Sequence, residues 1–439
     1  MNKNIFVIGL DDFHLKEMRQ VRHAEDYTFH CLLTTEEAIS VERFPFDQML
    51  EMAESRLKRF SGRIDAIIEH WDFPSSTLLP ILCGRFGLPS PSMEAILKCE
   101  HKYWSRLEQQ RILPEFTPHF AALDPFDDRA LEKLDLPFPF WLKPIKSFSS
   151  YLGFRIDNED DFRHAIKQTR QGIRRVGDAF NDVLKYAELP PEIAEVGGNH
   201  CIAEAIASGL QCGVEGYTFE GKPSVHGLID TVKDARRWSF TRYEYPSVWP
   251  EPVQQRIIEA SKRLMAHIGY DNGAWCVEFF WHEDTDELAI VEINPRISQS
   301  HSDQFIKVEG ASNHQVIIDV AMGREPEFCL NAGKYQSAAK FLLRKYHNTV
   351  VTRVPSEKEI AAVQATFEDS LVILLVREGM SLSELSNQDS YSFEIANIYL
   401  GAQSQRELVD KYRELSRELH FEFADGTPVE DIQFEWVKY

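Results

Sequence analysis

The chain lacks any apolar run long enough to span a bilayer. Its N-terminal apolar stretch stops at Asp11-Asp12, too short for the hydrophobic part of a signal peptide. Basic residues are in short supply, with 48 Lys and Arg against 69 Asp and Glu and a formal net charge of -21. Nucleic acids and anionic membranes both demand clustered Lys and Arg, so neither is expected as a partner, and the acidity is read as solubility. Cysteines number seven, between Cys31 and Cys329, and no pair has metal-ligand spacing. Cys99, Cys201 and Cys276 lie in apolar surroundings and read as reduced core residues, which fits a cytoplasmic location.

Several catalytic signatures are also missing. No G-x-G-x-x-G follows the first strand, where Gly9 leads into Leu10-Asp11. No G-x-S-x-G, H-E-x-x-H or C-x-x-C occurs. Gly216–Lys222 satisfies most of a phosphate-loop pattern, but Pro223 follows and the flanks read strand–turn–strand, so the segment is a hairpin.

What is present is a globular balance, 43% hydrophobic and 27% charged over 439 residues, enough for two to three domains. Asn4–Leu10 and Ile64–Ile68 read as buried strands separated by a helix over Phe46–Phe60 and followed by one over Leu78–Phe86. Strands alternating with helices imply a parallel, Rossmann-like α/β unit, expected over 1–97. Met93–Gln110 reads as one helix, Phe138–Leu142 as a strand, and Asn158–Ala187 as helical. Short strands are expected at Ile202–Ile206, Gly213–Phe219 and Val225–Asp230, a loop over Thr241–Pro252, and an amphipathic helix over Glu251–Ile268. The remainder, 331–439, reads as an α+β piece with strands near Ala338–Leu343 and Val372–Val376 and a helix over Ser404–Leu419.

The strongest chemical signal is a pair of strands flanking a polar turn, Trp275–Trp281 and Leu288–Asn294. If Glu278 faces Glu292, the pairing midpoint is Thr285, in the middle of that turn. Alternation would place Glu292 and Asn294 on one face with Leu288 and Ile290, and Glu278 with Cys276 and Phe280. Two carboxylates opposed across a ladder repel, and burying them unpaired is costly. A divalent cation removes both problems. Oxygen-only donors, Glu278, Glu292 and the Asn294 amide, suit Mg2+ or Mn2+ and not zinc.

Glu278 followed by Glu292-Ile-Asn294-Pro-Arg296 resembles the metal-binding signature of the ATP-grasp superfamily, nearest the branch of biotin carboxylases and amino-acid ligases. The resemblance implies a Rossmann-like N-terminal domain, a two-subdomain ATP-grasp module over 98–330 (about 98–198 and 199–330) and a C-terminal lid-like domain. It implies ATP as cofactor. Lys102 matches the first phosphate-binding lysine and Lys143, in Trp-Leu-Lys-Pro, the second. A strand-end ammonium such as Lys143 can neutralise phosphate charge. The loop Ile145–Gly153, with Ser149 and Ser150, takes the place of the phosphate-covering loop, although serines replace most of its glycines. Glu204, with the backbone of Ala205 and Ile206, matches the hinge strand that meets adenine, and Gln211 falls near the ribose position. Arg296 matches an arginine that steadies the substrate carboxylate or the phosphoryl group. Ser300, His301 and the segment bearing Arg236, Arg237 and Arg242 are candidate substrate contacts.

The resemblance implies an ADP-forming carboxylate–amine ligase acting through an acyl phosphate on small-molecule carboxylate and amine substrates. The same site would serve a biotin-carboxylase-like reaction through carboxyphosphate. A non-catalytic nucleotide-binding module is the third reading. Oligomeric state stays open, a homodimer being compatible with the sequence.

Overall fold

The protein is described from a computed structural model, over residues 2–39, 44–148, 151–234, 239–328, 331–385, 388 and 391–429. It is a mixed α/β protein that divides into two compact units. The first comprises Met1–His226, Gln254–Gln299 and Asn313–Phe328; the second comprises Gly227–Val253, Ser300–Ser312 and Cys329–Tyr439.

The first unit opens with a parallel sheet of order β2-β1-β3, from β1 (Lys3–Leu10), β2 (Tyr27–Thr34) and β3 (Ala66–Glu69). Helices α1 (Asp12–Met18), α2 (Phe46–Arg59) and α3 (Ser75–Phe86) connect and flank it. Strand β2 escaped the sequence reading because Tyr27-Thr-Phe-His-Cys mixes polar and apolar side chains and only Tyr27, Leu32 and Leu33 are buried. The stretch Met93–Gln110 is two helices, α4 (Met93–Glu100) and α5 (Lys102–Ile112), not one. The break is at His101, whose extended backbone caps α5. Its Nδ1 accepts from the Trp104 N–H at 3.1 Å and its other nitrogen meets the Val196 carbonyl at 2.7 Å.

An antiparallel sheet of order β4-β7-β5-β6 follows, from β4 (Phe120–Leu123), β5 (Phe140–Pro144), β6 (Phe154–Ile156) and β7 (Cys201–Ala205). Between β6 and β7 run α6 (Glu159–Gly172) and α7 (Arg174–Leu184), whose apolar faces bury Phe162, Ile166, Phe180 and Val183. One core gathers Ile8, Leu50, Leu82 and Trp104 with Ile145, Phe180 and Ile202, so α5 and the end of β5 share packing with the first sheet's helices.

Strand β8 (Leu210–Phe219) leads to β9 (Lys222–Lys233), which belongs to the second unit from Gly227 onward, as does β10 (Phe240–Tyr245). The chain returns through α8 (Glu251–Ile268) to β11 (Gly273–His282) and β12 (Glu287–Asn294), giving the first unit an antiparallel ribbon of order β12-β11-β8. Gly216 is required there, because a Cβ would sit 2.3 Å from the Trp275 ring and 2.6 Å from the Ser224 carbonyl.

In the second unit, β9 and β10 continue antiparallel into β13 (Ser337–Lys345), β16 (Phe393–Ala402) and β15 (Leu371–Leu374), while β14 (Val351–Arg353) pairs with β17 (Glu422–Phe423). The segment expected as loop, Thr241–Pro252, thus begins as a strand. Arg242 and Glu244 look like loop residues in sequence, yet both are buried and pair with each other, Nε donating to Oε2 at 2.8 Å. Among the described residues, no helix is long and apolar enough to cross a membrane.

Candidate active site

The hairpin β11–β12 places Glu278 directly opposite Glu292 and Cys276 opposite Asn294. The expected facing of the two carboxylates is found. The face assignment below them is not. Beyond Glu278 the register slips by one, Phe279 pairing with Ile290 and Trp281 with Leu288. A β-bulge at Val291 lets two residues of β12 oppose one of β11. Alternation is broken there, so Leu288 and Ile290 lie on the face of Phe279 and Trp281, opposite to that of Glu292. A period of two cannot reveal a bulge.

Around this pair the first unit assembles most of the predicted residues. Asn294 Nδ2 donates to Glu278 Oε1 at 3.2 Å, and Gln211 Nε2 donates to Glu278 Oε2 at 2.8 Å. Lys102 Nζ is 3.7 Å from Glu292 Oε2 and donates to the Ser147 carbonyl at 3.1 Å. Burial pushes the Lys102 ammonium below its ordinary range, against the pull of Glu292. Lys143, on β5, donates to Glu204 Oε2 at 2.7 Å across to β7. Arg296 Nη2 reaches Asn294 Oδ1 at 3.2 Å and Asp72 Oδ2 at 3.4 Å.

Lys102 and Arg296 thus flank the opposed carboxylates, at Glu292 and Asn294 respectively. Residues 136–303 match the family profile described as ATP-grasp domain. This stretch is an ATP-grasp domain. The chain is 25% identical over 300 residues to the carbamoyl phosphate synthase large chain of Xylella fastidiosa (strain 9a5c), covering 63% of this chain and 26% of that one. It therefore spans about a quarter of the length of the curated relatives it matches. Among solved structures it resembles an L-amino acid ligase from Bacillus licheniformis (TM-score 0.70, 16% identity, 96% of this chain and 98% of that one). It also resembles a biotin carboxylase–βγ-ATP complex from Campylobacter jejuni (TM-score 0.65, 16% identity, 96% and 92%). At these identities the likeness is one of fold.

Within the ATP-grasp domain the donor set can be judged against a hard cation. Glu278, Glu292 and Asn294 offer two carboxylates and an amide on one face. Beside them the buried Gln211 Oε1 has no hydrogen-bond partner among the described residues. These oxygen donors fit Mg2+ or Mn2+. No cluster of three or more His, Cys, Asp or Glu side chains suited to a metal occurs among the described residues. The sequence reading placed Gln211 near the ribose; its amide lies against Glu278. Glu204 is clasped by both Lys143 and Arg106. Burial would raise its carboxyl, but Arg106 and Lys143 outweigh that and hold it at about 2. The Ala205 N–H is bonded to the His119 carbonyl at 2.8 Å.

Ser149, Ser150, Arg236 and Arg237 lie outside the described residues. Ser300, His301 and Arg242 belong to the second unit, where the His301 ring packs on Tyr243 with centroids 5.1 Å apart.

Three neighbours escaped the sequence reading. Asp72, just past β3, binds both Arg296 and Lys146, the latter at 2.7 Å. Lys146 is buried and also pairs with Glu100, whose Oε1 accepts from the Ser76 hydroxyl at 2.5 Å. Despite burial, Lys146 and Arg296 hold the Asp72 carboxyl well below the usual carboxylate range. Arg106 sits one helical turn after Lys102 on the same face of α5. The available signal was the polar run Ser105, Arg106, Glu108 and Gln109, which is the buried face of that helix.

Proposed function

We propose that this chain is an ADP-forming ATP-grasp ligase that joins a small carboxylate to an amine through an acyl phosphate. The observation that carries the reading is the opposition of Glu278 and Glu292 with Asn294, Arg296 and Lys102 gathered on them. In this reading Glu278, Glu292 and Asn294 hold a divalent cation, which supplies charge neutralisation on the nucleotide phosphates. Lys102 and Lys143 offset further phosphate charge as compact cations. Arg296 presents a planar fork to the substrate carboxylate, orienting it for attack on the γ-phosphorus. The acyl phosphate is then opened by the amine, leaving an amide and inorganic phosphate. Catalysis of this kind rests on positioning and preorganised charge.

The fold likeness to an L-amino acid ligase supports an amino acid as one substrate. The likeness to biotin carboxylase supports a second reading, in which bicarbonate is the carboxylate and carboxyphosphate the intermediate. Both readings keep a Rossmann-like domain over 1–97, the ATP-grasp module over 98–330 and a C-terminal domain over 331–439, in a cytoplasmic protein. ADP release measured across a panel of carboxylates and amines, with bicarbonate alone as one arm, separates them. Release that needs both a carboxylate and an amine supports the ligase, bicarbonate-dependent release without amine supports the carboxylase, and none in any arm removes both.

A further inference from the structure

The bulge at Val291 is what puts Glu292 and Asn294 on the face of Glu278, because a regular ladder continued from Phe279–Ile290 would turn them over. A single side chain grips it. Arg106 Nη1 donates to the Ile290 carbonyl and Nη2 to the Val291 carbonyl, each at 2.8 Å. The third nitrogen, Nε, donates to Glu204 Oε1 at 2.6 Å, while Glu204 Oε2 takes Lys143 at 2.7 Å. The Arg106 side chain is only 5% exposed. One guanidinium therefore ties the carboxylate-bearing hairpin to the strand whose acid holds a phosphate-directed lysine.

Resting on the function proposed above, we infer that Arg106 is a positioning residue of the nucleotide site, with two tasks. It locks the bulge, so that Glu292 is presented to the cation on the face of Glu278. It also keeps Glu204 compensated while Lys143 leaves that carboxylate for a phosphate. A buried carboxylate with one cationic partner resists losing it. With two, it releases one more readily. Only a planar fork spans two successive carbonyls and a carboxylate at once; an ammonium cannot.

Arg106→Lys is the informative variant, since it retains a charge for Glu204 and loses the grip on the bulge. Insertion of one alanine after Val291 moves Glu292 opposite Val277, turning it and Asn294 to the other face while Arg106 stays, and covers the case in which the arginine variant does not fold. The probe is Mn2+ with ADP, followed by electron paramagnetic resonance, alongside kcat and the KM for ATP where the wild type turns over. Urea midpoints are recorded for each protein. Both variants should bind Mn2+ in the presence of ADP at least 10-fold more weakly than wild type, and Arg106→Lys should lower kcat by a similar factor. Metal-free ADP binding should change less than threefold. Wild-type Mn2+ binding in folded Arg106→Lys or in the alanine insertion overturns the inference, as does equal weakening with and without metal. A wild type that binds Mn2+ and ADP but releases no ADP with any substrate refutes the ligase reading and leaves this test intact. A wild type that binds no Mn2+ with ADP overturns the inference itself.

Discussion

Replacing Lys143 with Met separates its part in stability from its part in nucleotide binding. Glu204 is almost fully buried, yet its carboxyl is held at about 2 against an ordinary 4.5. That difference corresponds to roughly 3 kcal/mol in favour of the ionised folded form. Arg106 is the stronger of the two attractions and Lys143 the weaker. Loss of Lys143 should therefore cost about 1 kcal/mol, since Arg106 still compensates Glu204. Because the folded carboxyl titrates lower than the unfolded one, this stabilisation is complete above pH 4.5 and is lost as pH falls from 4.5 towards 2. The stability curve of Lys143→Met should accordingly be shallower in that window. The effect on turnover should be far larger, with the KM for ATP up at least about 10-fold and kcat lowered together. Arg106→Met should reverse the balance in stability, costing roughly 3–5 kcal/mol as a broken buried pair. Urea unfolding at pH 7 and pH 3, with steady-state ADP release, measures all of this. A Lys143→Met protein as destabilised as Arg106→Met, with wild-type kinetics, would refute the reasoning.

Glu292→Gln should reduce ADP release at least about 100-fold while leaving the urea midpoint within roughly 0.5 kcal/mol of wild type, because this carboxylate is 42% exposed; normal turnover would remove Glu292 from the cation site. In the second unit, burial raises the Asp230 carboxyl to about 7 from 3.8. The folded state there retains a proton that the unfolded chain has lost, so stability declines as pH rises from about 4 to 7 and levels off above. Asp230→Asn should flatten that decline and, at pH 8, stabilise by at most roughly 4 kcal/mol. Parallel wild-type and variant curves of stability against pH would contradict it.

The hairpin was legible because its information is local. Two apolar strands, a polar turn and the spacing from Glu278 to Glu292 determine which residues meet. The bulge was not, since it is stabilised by Arg106, which lies 184 residues from Ile290. The same reason hid β10, whose buried Arg242 and Glu244 pair with each other on a strand held between β9 and β13. Helix α8 ran over Glu251–Ile268 as expected, because a long amphipathic period carries its own boundaries. Lys146 shows the opposite failure. Placed by sequence in a phosphate-covering loop, it is buried against Asp72 and Glu100, and nothing near it in sequence announces those partners.

The break at His101 has a bearing on acid tolerance. Its cap on α5 needs a lone pair on Nδ1, so protonating the ring would undo the cap and loosen the helix start from which Lys102 projects. Burial keeps the imidazole neutral down to about pH 4. The residue type best suited to respond to mild acidification is thus made deaf to it. Between pH 6.5 and 4 the unfolded chain gains a proton that the folded one refuses, so the contribution of His101 to stability should fall across that interval, opposite in sign to that of Asp230, while the elbow between the two helices keeps its shape.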